Sequence, residues 1–306
     1  MHYRRLGNTD VKVSVVGIGT WQYGGEWGRP FTQGEVDAIL DTAHDEGINL
    51  IDTAECYGDH LSERLIGDYL ERRQRTDWVV ATKFGHHFKA NFERDQRWSP
   101  AQVLTQLDAS LRSLRTDHID LYQFHSGTDA AFFQDELWHL LHEQQRAGKI
   151  RHLGISIDKQ GNARQVEAAH SIGAAAIQVV YNRLDRAAEQ DAFPAAQAQD
   201  LGVLARVPLA SGYLSGKYHP GVVFGTDDVR RNHDAQAVDA QLHEALRIQR
   251  DEVPAGVPIA QWALAWCLRN PAVSSVIPGC KNPEQTRSNA RAAQLLDSNG
   301  DWVKGP

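Results

Sequence analysis

A short β-rich run alternates with a longer helical stretch eight times along this chain, and that alternation restricts its fold more than any other feature. Parallel strands need a long crossover between them, so strand-helix alternation predicts a parallel sheet wrapped by helices. The candidate strands are Val15–Gly19, Leu50–Asp52, Trp78–Lys83, Ile119–Phe124, His152–Ser156, Ala176–Tyr181, Val203–Val207 and Ser274–Pro278. Most are unbroken apolar runs, as expected for strands buried on both faces. Eight of them predict an α/β (β/α)8 TIM barrel occupying residues 1–306 as one domain, since no composition break marks a second.

The connections carry matching signals. Thr32-Gln33-Gly34-Glu35 reads as a capping box, and Ser99-Pro100-Ala101-Gln102 places proline at the first helical position. Gly47, Gly148, Gly173 and Gly202 each follow a helical stretch, where a left-handed stop favours glycine. Tyr3–Leu6 and Val11–Ser14 flank Gly7-Asn8-Thr9-Asp10 and predict an N-terminal β-hairpin capping the barrel bottom. Between Pro208 and about Ala235 runs a loop long enough to suggest binding, followed by expected helices Gln236–Arg250, Ile259–Asn270 and Pro283–Leu296.

Composition narrows the partner. A net charge of -7 argues against nucleic acid, whose binding depends on basic surface, and points to a small molecule. Met1 leads straight into His2-Tyr3-Arg4-Arg5, and no apolar run reaches the ~18 residues of a membrane span. Cys56, Cys267 and Cys280 are scattered, without metal-ligand spacing, and suit a reducing cytoplasm. No metal site is expected.

In a barrel of this kind, working residues sit at the C-terminal ends of strands. Asp52 ends the second strand, Lys83 the third and Ser156 the fifth; His125 follows the fourth, and Gln178 lies in the sixth. Tyr57 comes five residues after Asp52. An ammonium beside a tyrosine favours the phenolate, so Lys83 is expected to lower the Tyr57 pKa, with Asp52 as the lysine's counter-charge. His125 would orient a carbonyl oxygen. Together these groups deliver a proton to one oxygen without an evident nucleophile, which fits carbonyl reduction.

At these residues the chain resembles the aldo-keto reductases. Asp52-Thr53-Ala54-Glu55-Cys56-Tyr57-Gly58, Ala81-Thr82-Lys83 and Leu121-Tyr122-Gln123-Phe124-His125 are similar to that family's catalytic tetrad segments. The stretches 209–218 and 277–285 resemble the bacterial branch related to potassium-channel β subunits. The resemblance implies Tyr57 as general acid, Lys83 and Asp52 tuning it, and His125 orienting substrate. It further implies NADP(H) as cofactor, with NAD(H) open. Gly19, Thr20 and Trp21 would border it, Ser156 and Gln178 would hold its carboxamide, and Arg206 would stack where many relatives place an aromatic. Pro208, Leu209, Ser211, Gly212, Leu214 and Lys217 would meet the pyrophosphate, with Gly279, Lys281, Gln285 and Asn289 along the adenosine end. Two positions depart from the family pattern. Ile157 replaces an asparagine, and Gln285 replaces an arginine, which leaves NADP preference to Lys281, with Arg287, Arg230 or Arg231 in reserve.

Trp21, Tyr23, Trp27, Phe84, His86 and Trp98 are candidates for the substrate pocket, with core packing as the competing reading. Gly17-Ile18-Gly19 lacks the third glycine and following helix of a dinucleotide fingerprint. Tyr213 and Lys217 mimic the spacing of short-chain dehydrogenases, but Gly212 and Gly216 interrupt any helix there. His139 and His142 read as helix surface. The tail after Leu296, only Asp297–Pro306, leaves the expected pocket open to several carbonyl compounds. The alternative to an enzyme is a nicotinamide-sensing regulatory subunit.

Overall fold

The computed structural model describes residues 1–297 and 301–303, so the remaining six residues of the predicted tail lie outside the described residues. The strands are β1 (Tyr3–Arg5), β2 (Lys12–Ser14), β3 (Ile18–Gly19), β4 (Leu50–Asp52), β5 (Val79–Phe84), β6 (His86–Ala90), β7 (Glu93–Gln96), β8 (Ile119–His125), β9 (Ile150–Ser156), β10 (Ala174–Val180), β11 (Gly202–Arg206) and β12 (Ser275–Val276). Eight of them form one parallel sheet in the order β12-β11-β10-β9-β8-β5-β4-β3. Parallel bridges from Val16 to Val276 and from Gly19 to Gly279 bring the first and last strands together, giving the (β/α)8 architecture expected. No helix among the described residues is long and apolar enough to cross a membrane.

Side chains facing the barrel interior come in two layers. Leu50, Ala81, Leu121, Ala176 and Leu204 form an apolar lower layer with Ile277, Leu6 and Val13. Successive residues of a strand face opposite sides, so the residue two places on returns to the interior. Asp52, Lys83, Gln123, Gln178 and Arg206 occupy those positions, and Ser156 follows Gly154 in the same way. The polar site is thus the next layer of a packed barrel, raised above an apolar floor.

The antiparallel pair β1–β2 closes the bottom, as predicted. Its turn explains Gly202, which does not end a helix: it lies in β11, and a Cβ there would meet Leu6 Cδ1 at 2.6 Å and Gly7 N at 2.8 Å. The preceding left-handed position is taken instead by Asp200, with φ 51°. Gly47, Gly148 and Gly173 do adopt left-handed conformations.

The predicted capping box forms at Thr32–Glu35, and a second, Ser99–Gln102, stands where proline opens the helix Pro100–Ser113 as expected. The first opens the helix Gln33–Asp45, whose Val36, Ile39, Leu40 and Ala43 pack on the barrel. After β11, turns occupy Ala210–Ser215 and Val229–Asn232 before the helices Ala235–Asp251 and Ile259–Leu268. These helices make a second apolar cluster with Tyr213 and Leu214. The expected closing helix is Pro283–Ala290, continued by a tighter turn over Arg291–Leu295. Trp302 stacks on Trp262, with centroids 6.2 Å apart.

One hairpin was not anticipated. β6 and β7 pair antiparallel directly after β5, turning through Phe92 at φ 69°, and form a wall beside the barrel mouth.

Candidate active site

The C-terminal strand ends open into a cavity of about 680 Å³. At its floor Lys83 is fully buried, and its Nζ donates to Asp52 Oδ1 (2.6 Å), to the Thr53 carbonyl (2.8 Å) and to the Tyr57 hydroxyl (3.2 Å). Three bonds satisfy all three ammonium hydrogens. The other Asp52 oxygen accepts from Gln178 Nε2 at 2.7 Å and Gln123 Nε2 at 3.1 Å. A buried ion pair endures only when its remaining lone pairs are satisfied in this way.

Burial pushes the Tyr57 phenol up, Lys83 pulls it down, Asp52 pushes it up again, and the result lies above the usual tyrosine range. This corrects the sequence-based expectation that Lys83 would bring the net value down: desolvation of the phenolate outweighs the ammonium. Tyr57 therefore carries its proton at neutral pH. Burial also opposes the Lys83 ammonium, but Asp52 and Tyr57 more than compensate and raise it above the usual lysine range. His125 is held well below the usual imidazole range by burial, then by His86, Lys83, Arg206 and Arg94. It is neutral, with one ring N–H to donate.

The first loop supplies the facing wall. Trp21 lies nearly parallel to the Tyr57 ring, with centroids 6.1 Å apart, and meets Trp27 edge-on at 5.2 Å. The close approach requires Gly24, where a Cβ would stand 2.6 Å from the Tyr57 carbonyl carbon. Trp21 Nε1 donates to Glu26 Oε2 (2.8 Å), and the same carboxylate accepts from the Phe92 amide and from Arg94 of β7, both at 2.6 Å. Glu26 thereby ties the hairpin to the first loop.

Of the predicted pocket residues, Trp21, Trp27 and His86 line the cavity. Tyr23 and Phe84 are fully buried and absent from its lining. Phe84 follows Lys83 on β5 and so faces outward into the aromatic packing of Tyr122 and Phe124. Trp98 lies on Phe124 at 4.4 Å, pressed against Gly85 and Gly127, and likewise misses the cavity.

Gly19, Thr20, Gln178, Arg206, Pro208, Leu209, Ser211, Gly212, Lys217, Gly279, Lys281, Gln285 and Asn289 do line it. Leu214 is fully buried in the second apolar cluster, and Ser156 lies beneath the lining. Ser156 Oγ and Arg206 Nε are buried without hydrogen-bond partners. Arg206 Nη2 donates to the Ile157 carbonyl at 2.9 Å, so the residue that departs from the family pattern positions the guanidinium. Val207, Ala210, Ser211 and Gly212 are left-handed, a backbone form whose amides make an anion-binding concavity. Two orphaned donors at one end and this turn at the other fit a nicotinamide dinucleotide along the cleft.

The cations at the far end come from separate loops. Lys281 Nζ donates to the Trp27 carbonyl at 3.0 Å, and burial, then Arg230, hold its pKa below the usual range. Arg230 lines the cavity but is paired with Asp228, while Arg287 is exposed and outside it. Trp27 bridges Asp228, and Val229 N donates to the Glu26 carbonyl at 2.9 Å, so the two loops cross over the cleft.

Gln123, Glu26, Arg94 and Arg230's partner Asp228 carry weight that sequence reasoning did not give them. For Gln123 a signal existed: it lies two residues before His125, in line with the other inward polar groups. Tyr213, by contrast, bonds His233 in the second cluster, and His139 is exposed beside Glu143, as their sequence contexts suggested.

The aldo/keto reductase family model matches residues 15–301. An NADH-specific methylglyoxal reductase of Escherichia coli is 32% identical, with 97% of this chain and 94% of that protein covered. A probable voltage-gated potassium channel subunit beta of Arabidopsis thaliana is 28% identical over 97% of this chain and 92% of its own length. The solved holo form of an aldo-keto reductase from Bacillus halodurans superposes with a TM-score of 0.80 at 29% identity, covering 96% of this chain and 91% of that one.

Proposed function

The chain belongs to the aldo/keto reductase family, and on that premise we propose that it is an NADP(H)-dependent oxidoreductase reversibly interconverting aldehydes or ketones with alcohols, Tyr57 serving as general acid and base. The observation that carries this reading is the Lys83 ammonium bonded at once to buried Asp52 and to the Tyr57 hydroxyl.

Ser156, Gln178 and Arg206 would hold the nicotinamide end, the 208–217 turn the pyrophosphate, and Lys281 with Lys217 and Arg230 the adenosine phosphate. The bound cofactor supplies or accepts hydride at the substrate carbon. The protein's own part begins with orientation: neutral His125 donates its ring N–H to the carbonyl oxygen and fixes it near Tyr57. Tyr57 gives that oxygen its proton as negative charge develops. Lys83 stabilises the phenolate left behind, and Asp52 keeps Lys83 charged and in place. Trp21 and Trp27 restrict water on the facing side. In the reverse direction the phenolate accepts the alcohol proton.

NADP preference draws support from three cations, Lys217, Arg230 and Lys281, facing one cavity end, because a 2′-phosphate needs charge-assisted donors. We further read the whole chain as one domain acting in the cytoplasm, with its three cysteines free and buried. Purified protein should oxidise NADPH in the presence of an activated aldehyde, faster than it oxidises NADH. Failure with every member of a broad carbonyl panel would reject the assignment. The potassium-channel relative favours one second reading, a nicotinamide-sensing subunit, which predicts bound cofactor without turnover and a stable protein partner.

A further inference from the structure

Cys56, His86 and His125 come from three different segments yet present one ligand atom each within 4.8 Å of the others. All three line the cavity. The Cys56 sulfur lies 3.8 Å from His125 Nδ1, close to the about 3.5 Å that a tetrahedral zinc ion would impose on two such ligands. The imidazoles of His86 and His125 stack with centroids 4.6 Å apart and planes 25° apart. His86 Nε2 is buried without a hydrogen-bond partner. Thiolate and neutral imidazole are the ligand types zinc prefers, and three protein ligands beside a cavity leave its fourth position open.

We propose that Cys56, His86 and His125 form a binding site for a thiophilic divalent cation, Zn²⁺, inside the substrate cavity, and that its occupancy reversibly inhibits turnover. On binding, the Cys56 thiol releases its proton to solvent and forms the sulfur–metal bond; both imidazoles donate lone pairs, and nothing is oxidised or reduced. The nearby cations Lys83 and Arg94 are each paired, Lys83 with Asp52 and Arg94 with Glu26. Inhibition follows because His125 would be held by the ion in the space where a substrate oxygen must sit. That second half rests on the reductase reading, whereas metal binding does not.

Calorimetric titration of the purified protein with Zn²⁺, and optical titration with Co²⁺ as a reporter of sulfur ligation, test the site directly. One ion per chain and a thiolate-to-cobalt charge-transfer band are expected. Cys56→Ser should abolish the band, and both Cys56→Ser and His86→Ala should weaken Zn²⁺ binding by roughly tenfold or more, since each removes a metal bond. His86→Ala, at a half-buried position, keeps the test decisive if the buried serine variant does not fold. Zinc should also lower turnover, with recovery on adding chelator. Absence of the band, or unchanged affinity in either folded variant, would overturn the site. A protein that binds zinc through sulfur but reduces no carbonyl would instead reject the reductase reading. Zinc binding without loss of turnover would overturn the inhibitory half.

Discussion

The two ends of the cleft are built by different means. At the chemical end, Asp52, Lys83 and Gln123 project from the adjacent strands β4, β5 and β8 and Gln178 from β10 beyond β9, and the barrel register sets their separations. At the end proposed to take the cofactor's adenosine, Lys281, Arg230 and Lys217 come from loops, held by contacts such as Lys281 to the Trp27 carbonyl and Arg230 to Asp228. The difference teaches where tolerance lies. A change among the strand residues leaves a buried charge unpaired, while a change at half-buried Lys281 or exposed Lys217 removes one donor from the cleft wall; Arg230, buried against Asp228, stands between the two cases. The first should affect turnover and folding together, and the second should affect cofactor affinity alone.

The largest effect is expected from Lys83→Met. It strands Asp52 in the barrel, so turnover should fall by about 10²–10⁴ and stability by roughly 3–5 kcal/mol, as measured by steady-state kinetics and urea unfolding. Normal stability with lost activity would separate chemistry from architecture and break the comparison. Asp228→Ala comes next. Freeing Arg230 and loosening the crossing of the loops should raise KM for NADPH and NADH alike, by roughly tenfold, with kcat nearly unchanged. Lys281→Ala should raise KM for NADPH by about tenfold while leaving NADH within about twofold, because only the former has a 2′-phosphate to lose. Equal weakening would assign Lys281 to the shared adenosine.

The smallest effect expected is that of pH. Tyr57 titrates above the usual phenol range and His125 well below the usual imidazole range, so neither changes its charge near neutrality. The kcat for reduction should vary little between about pH 6.5 and 9, falling only as Tyr57 loses its proton at higher pH. A limb centred near neutrality would mean that another group gates the reaction.

Strand ends were legible because two constraints agree there: apolar runs of strand length, and a polar residue where the run stops. That reasoning reached Asp52, Lys83 and His125. It passed over Gln123 because the residue sits inside its run, and only the interior parity of β8 reveals it. Parity also separates Lys83, facing in, from Phe84, facing out, a distinction that proximity along the chain conceals. The β6–β7 hairpin escaped notice because its turn uses Phe92 rather than a glycine, and its strands are short and charged. Loop pairings such as Glu26 with Arg94 and Asp228 with Arg230 leave no periodic signature. The sign of the Tyr57 shift was misjudged for a similar reason: sequence shows the neighbouring lysine but not the depth of burial opposing it.

The most direct test is Tyr57→Phe, assayed for turnover and, separately, for cofactor binding by fluorescence titration. The variant keeps the ring against Trp21 and loses only the hydroxyl that Lys83 contacts. Cofactor affinity should remain within about twofold while kcat drops by about 10²–10⁴. Undiminished kcat in a folded variant with normal cofactor affinity would contradict the assignment of Tyr57 as the proton donor.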